Sequence, residues 1–220
     1  MSIELSSSLL SHLRARHVPL YPLDKENHPQ FWPDPELMLS EALHKREQDG
    51  ENRLELTDRQ KWWMQPENAE KLQWAKDNGY ATEAMVRVIH ADSDTPHLNQ
   101  LLEQFTDTYG NFGETKASYF FIDPDDSDNY GWHVDTDIKS PTIPRGIMCA
   151  MNVVLTDINI PVEFQNQGEF TYRAAMFNTD WLHRVHTNKK LRVLARIAFT
   201  DSIYEEIVHK IKRIHKKANK

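Results

Sequence analysis

Two periods govern the apolar positions of this chain. In its N-terminal part the spacing is mostly helical. Residues 6–14 set capping residues ahead of apolar positions, and residues 33–44 open with prolines and acids, as helix starts do. Residues 58–78 and 96–108 carry the same three-to-four-residue spacing, with Pro66 expected to interrupt the first of them. Pro19, Pro22, Pro29 and Pro33 mark residues 18–34 as an extended connector.

Shorter runs with strand character follow. A brief one at 85–89 precedes the helix at 96–108. Then comes the aromatic-rich stretch 116–123, closed by the turn chemistry of 124–131. Residues 147–155, 162–164, 174–177 and 192–199 repeat the theme. Short strands separated by turn signals predict an antiparallel sandwich or barrel. At the C-terminus Ile203, Ile207, Ile211 and Ile214 fall at helical spacing, so residues 201–217 read as an amphipathic helix. Its basic end, within 210–220, suits a helix C-terminus and a solvated face.

Composition narrows the function classes. A chain of 220 residues can bury a real core. The expected organisation is one structural domain: an N-terminal helical region at 1–84, a β core at 85–202 and the basic helix at 203–220. No apolar run approaches a membrane span, and no basic-then-apolar signal opens the chain. Cys149 is the single cysteine, which excludes an intramolecular disulfide and favours a reducing, cytoplasmic setting; it reads as a small buried hydrophobe. A net charge of −7 argues against general binding to nucleic-acid phosphates. Phosphate-loop, dinucleotide-binding, nucleophile-elbow and paired-cysteine zinc patterns are all absent.

The candidate chemistry lies in His133-Val-Asp135, then His183, then Arg192. Residues i and i+2 of a strand face the same side, so His133 and Asp135 can reach one ion together. His183, before another β-rich run, can supply a third ligand from an adjacent strand. Two histidines and a carboxylate are the facial set that holds a non-haem Fe(II) with sites left open; the same groups also bind Zn²⁺. His186 is the alternative third ligand, paired with Arg196 where His183 pairs with Arg192. A second H-x-D, His90-Ala-Asp92, reads instead as a strand-to-helix loop with Asp92 or Ser93 near an N-cap. Trp132 and Trp181, each within two residues of a proposed ligand, are candidates to wall the site; Tyr130 and Asp137 are candidates for its mouth. Trp62, Trp63 and Trp74 read as packing between helices.

Residues 119–199 resemble the catalytic core of the Fe(II) and 2-oxoglutarate-dependent dioxygenases, in particular the prolyl and aspartyl hydroxylase-like branch. The residues that carry the likeness are Trp132-His-Val-Asp135, Arg145-Gly-Ile-Met-Cys-Ala-Met-Asn152 and Leu182-His-Arg-Val-His-Thr-Asn-Lys-Lys-Leu-Arg192. The resemblance implies a mainly β fold with flanking helices, a double-stranded β-helix (jelly roll) with an N-terminal helical layer. It implies that His133, Asp135 and His183 form the catalytic iron centre and that Arg192 holds the distal carboxylate of 2-oxoglutarate, with Asn152 as a second contact. The implied co-substrates are 2-oxoglutarate and O2, and the implied substrate is an amino acid, free or peptidyl, or a small metabolite. A cupin-like hydrolase or isomerase and a non-catalytic jelly-roll binding module are the alternatives; nucleic acid and membrane are not expected partners.

The run 192–199 provides an internal check. Arg192, Leu194, Arg196 and Ala198 share one face, and Val193, Ala195, Ile197 and Phe199 the other. In a dry sandwich the arginine face belongs outside. In a jelly roll that binds a dicarboxylate between its sheets and packs helices outside, the assignment inverts.

Overall fold

The structure, a computed structural model, describes residues 19–23, 34–48, 65–80, 87–123, 131–134, 149–185, 190–200 and 202–218. Nine strands among them form two antiparallel sheets. The larger runs in the order β1 (Leu20–Pro22), β7 (Ala174–Phe177), β4 (Cys149–Val154), β9 (Arg192–Phe199), β3 (Thr115–Ile122), β2 (Arg87–His90). The smaller runs β6 (Gly168–Phe170), β5 (Val162–Phe164), β8 (His183–Val185). The helices are α1 (Pro35–Gln48), α2 (Ala69–Asp77), α3 (Pro96–Tyr109) and α4 (Tyr204–Ala218), with a 3-10 turn at Pro66–Asn68 ahead of α2.

Period-two alternation divides the large sheet into two buried faces. On β9, Val193, Ala195, Ile197 and Phe199 pack with Ala117, Tyr119 and Phe121 of β3, Cys149, Met151 and Val153 of β4, and Ala174 and Met176 of β7. This face is covered by helices: Met38 and Ala42 of α1, Leu98, Leu101 and Phe105 of α3, and Ile207 and Ile211 of α4 join the same cluster. The opposite face turns Ile122, Val154, Ala175, Phe177 and Leu194 toward Val162, Phe164 and Val185 of the small sheet. Arg192 and Arg196 therefore face inward, between the sheets. The helical layer covers the wholly apolar face of β9, which is the inverted arrangement.

Several local features differ from the sequence reading. Pro22 ends a short edge strand inside the stretch read as a connector: Leu20 and Tyr21 pair with Phe177 and Met176, so the N-terminal part contributes a strand as well as helices. Pro is admitted there because an edge strand needs no ladder donor on its outer side. Pro66 interrupts the helical spacing as expected, opening the 3-10 turn ahead of α2 from an extended Gln65. His90 is the last residue of β2, paired with Ser118, and the N-cap of α3 is Thr95. The Thr95 side chain does not cap α3. Glu41 of α1 does so instead, accepting from the backbone N–H of His97 at 2.7 Å and of Leu98 at 3.0 Å. Trp74, expected in an interhelical core, is 60% exposed and stacks on Tyr80 at 5.5 Å. The expected helix at 6–14, Trp62 and Trp63 lie outside the described residues.

Candidate metal and anion site

His183 reaches the interior because β8 alternates. His183 and Val185 are buried and Arg184 points out. On the outer side the Arg184 Nε donates to the Glu163 carboxylate at 2.6 Å, and its guanidinium lies 4.3 Å from the centre of the Trp132 ring. Those contacts fix the register in which Phe164 of β5 stands opposite His183. A slip by one residue would turn His183 out to solvent.

His133 is brought beside it by backbone pairing. The N–H of His133 donates to the carbonyl of His183 and the N–H of His183 to that of His133, both at 2.9 Å. The two imidazole rings stand 4.4 Å apart. One residue back, the Trp132 N–H donates to the Gly79 carbonyl at 2.8 Å, in a parallel bridge between Tyr80 and Trp132. Gly79, with φ of +73°, supplies the left-handed turn that ends α2 and lets the chain run alongside Trp132. The helical region is thereby stitched to the segment carrying His133.

Both histidines are held in one tautomer by the same device. The Nδ1–H of His133 donates to the Gly131 carbonyl at 2.9 Å, and the Nδ1–H of His183 to the Trp181 carbonyl at 2.8 Å. A carbonyl can only accept, so Nδ1 carries the proton, and Nε2 is the nitrogen that would meet a metal. Phe177 and Phe164, whose ring centres lie 5.0 and 5.8 Å from that of His183, line the apolar side. Trp181 packs against the inter-sheet cluster, and Trp132 is half-buried under Arg184. Asp135, His186, Tyr130 and Asp137 lie outside the described residues, and among those described no three His, Cys, Asp or Glu side chains come together as a metal-binding group.

Arg192 is fully buried at the start of β9. Its Nη1 donates to the Ile160 carbonyl at 2.6 Å, and its Nη2 stands 3.5 Å from the Tyr172 hydroxyl. Among the described residues the Nε–H has no hydrogen-bond partner and no carboxylate forms an ion pair with this side chain. A run of rings joins it to the histidines: Arg192 to Tyr172 at 5.9 Å, Tyr172 to Phe177 at 6.2 Å, Phe177 to His183 at 5.0 Å. Sequence reasoning missed Tyr172, Ile160 and Phe177, because nothing in their spacing ties them to residues so far along the chain.

Asn152 shares the inward face but not the row of Arg192. It stands directly opposite Arg196 on β9, and Arg196 in turn stands opposite Ser118 on β3. All three are buried. The guanidinium of Arg196 lies 4.9 Å from the centre of the Phe120 ring.

The residues fit a divalent metal and an anionic co-substrate on two counts. Two imidazoles with tied Nδ1 positions form a partial ligand set, and the buried Arg192 guanidinium holds an N–H unsatisfied among the described residues. No family model and no curated protein matches the chain. Among matching solved structures is a Pseudomonas putida prolyl-4-hydroxylase, at a TM-score of 0.44 and 14% identity over 79% of this chain and 90% of that one.

Proposed function

We propose that this chain is an Fe(II)- and 2-oxoglutarate-dependent dioxygenase, a jelly roll that hydroxylates an amino acid or another small molecule between its two sheets. The observation that carries the reading is Arg192. A charge removed entirely from water is costly unless an opposite charge meets it, and no described carboxylate does so. An anion bound from solution meets that need. The planar guanidinium fork suits a carboxylate, which it can grip by two donors at once.

His133, His183 and Asp135 would hold the metal, with Arg192 fixing the far carboxylate of 2-oxoglutarate. Asn152, in the row nearer the histidines, would meet the other end. When bound, Fe(II) with 2-oxoglutarate and O2 supplies the oxidising power to hydroxylate a C–H bond, releasing succinate and CO2. The chain's own part is placement and exclusion. Gly131 and Trp181 carbonyls keep both imidazoles oriented, Ile160 and Tyr172 hold one edge of Arg192, and Phe164, Phe177 and Tyr172 keep the space between apolar. None of these residues needs to transfer a proton.

Calorimetric titration of the Mn(II)-loaded protein with 2-oxoglutarate tests this reading. Wild type should bind the dianion, and Arg192→Met should weaken it about 10- to 100-fold, the worth of a hydrogen-bonded charge. His183→Ala should lose the metal. Equal affinity in wild type and Arg192→Met, or metal binding with no uptake of 2-oxoglutarate, would move the reading to a hydrolytic or binding jelly roll.

A further inference from the structure

We infer that the outer face of the helical layer joins two copies of this chain as a two-fold pair, the acidic row of α3 on one copy meeting the basic row of α4 on the other. This association does not depend on what the inter-sheet site binds.

The helical period sorts both helices into a buried and an exposed side. On α3, Leu98, Leu101, Phe105 and Tyr109 are buried, while Gln100, Glu103 and Asp107 are exposed. On α4, Tyr204, Ile207, Val208 and Ile211 are buried, while His209, Lys212, Arg213, Lys216 and Lys217 are exposed. Both buried sides enter the cluster over the large sheet, so both exposed rows point away from it. The two helices are neighbours in that layer: the Lys210 ammonium of α4 lies 4.3 Å from the centre of the Phe112 ring, just beyond the end of α3. An acidic row therefore stands beside a basic one on the same outer surface.

Neither row is satisfied inside the chain. Among the described residues, no ion pair and no hydrogen bond engages the side chain of Glu103, Asp107, Arg213, Lys216 or Lys217. Like charges also recur at the spacing that brings helical neighbours together. Glu103 with Asp107, Lys212 with Lys216, and Arg213 with Lys217 are i, i+4 pairs, and each repels. The helix dipole offsets only part of this. It favours Lys216 and Lys217 in the last turn of α4, but it falls off before Lys212 and Arg213. It disfavours Asp107, an acid in the last turn of α3. Opposite charges supplied from another molecule relieve the repulsion in both rows.

The occupant follows from complementarity. In a two-fold pair the same patch meets itself in reverse, so a surface with one acidic and one basic row is complementary to itself. The α4 helix has a net charge of +3 and the rest of the chain −10, so an extended polyanion drawn to α4 is repelled by what surrounds it. The apolar side of α4 is spent in the core, which leaves none to enter a lipid surface. Its exposed row holds no aromatic ring on which a base could stack. A second copy meets both rows at once.

Sedimentation velocity of the full chain between about 5 and 500 μM tests this. Expected in about 50 mM NaCl is a monomer–dimer equilibrium whose dissociation constant rises at least about tenfold in about 500 mM NaCl, because exposed charges are screened. Glu103→Lys with Asp107→Lys, and separately Arg213→Glu with Lys216→Glu, should each stay monomeric, since like charges then oppose one another. An equimolar mixture of the two variants should dimerise again, because one copy then carries two positive rows and the other two negative ones. Circular dichroism checks that both variants are folded. Overturning results are a wild type that stays monomeric across this range, a dimer that survives either reversal, or folded variants that do not pair when mixed. A monomeric wild type whose sedimentation responds only to added poly-L-glutamate assigns the basic row to an acidic partner and overturns the two-fold pair as well.

Discussion

Glu41, Tyr119 and Cys149 show at the scale of single residues how this chain spends its buried polar groups. Glu41 caps α3 from another helix and also accepts from the Tyr119 hydroxyl at 2.6 Å. Glu41→Ala strands three donors, so it should cost about 2 kcal/mol or more in urea unfolding. Burial pushes the Tyr119 phenol well above its ordinary value, and the bond to Glu41 adds to the effect. Tyr109 and Tyr204 are raised mainly by burial too. A raised folded-state value means that the native state keeps protons the unfolded chain gives up. Their contribution to stability is complete below the unfolded value of about 10 and is lost as pH climbs past it. The urea midpoint should fall between about pH 9.5 and 11.5, and less steeply in Tyr119→Phe. Burial likewise holds the Cys149 thiol protonated, so iodoacetamide at pH 8 should alkylate it only after unfolding. That Cys149 would be buried was legible from its apolar run; Glu41 as the α3 cap was not, because 56 residues separate Glu41 from the His97 N–H it holds.

Among the elements, β9 was the most informative in sequence, because its alternation separates a wholly apolar face from one bearing arginines. The structure covers the apolar face with helices. Phe199 on that face touches the rings of Phe105 and Phe112, at 5.4 and 5.9 Å. Phe199→Ala should cost about 3–5 kcal/mol by thermal or urea unfolding, with the inward face and its arginines left in place. Strands of four residues or more were readable because enough alternating positions accumulate. Of the three-residue strands, β5 was readable because Val162 and Phe164 place two apolar residues on one face, whereas β1, which ends in Pro22, and β6, which begins with Gly168, were not. Trp74 misled for a related reason: a large ring predicts burial on average, whereas here it stacks on Tyr80 at the surface.

For the whole molecule, the order β1-β7-β4-β9-β3-β2 was not legible, because neighbours in the sheet are distant in sequence and no local pattern selects among pairings. The candidate site was more legible than the topology. The strand parity of His183 and Arg192 depends only on backbone geometry, and both are buried between the sheets, with the His133 ring 4.4 Å from that of His183; Asp135, the other half of the i, i+2 spacing, lies outside the described residues. What joins them is long-range: the His133–His183 bridge and the ring path through Tyr172 and Phe177. Ligands that bridge the two sheets should therefore stabilise the fold as a unit. 2-Oxoglutarate at about 100 times its dissociation constant should add about 2.7 kcal/mol to the metal-loaded protein, and raise the thermal midpoint by about 5–10 °C. His183→Ala should abolish that rise.

An anaerobic titration of the metal-free protein with Fe(II) and 2-oxoglutarate, followed in the visible region, tests the central claim most directly. Expected is a weak charge-transfer band that requires His183 and weakens in Arg192→Met. A folded wild-type protein that shows no band at saturating Fe(II) and 2-oxoglutarate would contradict it.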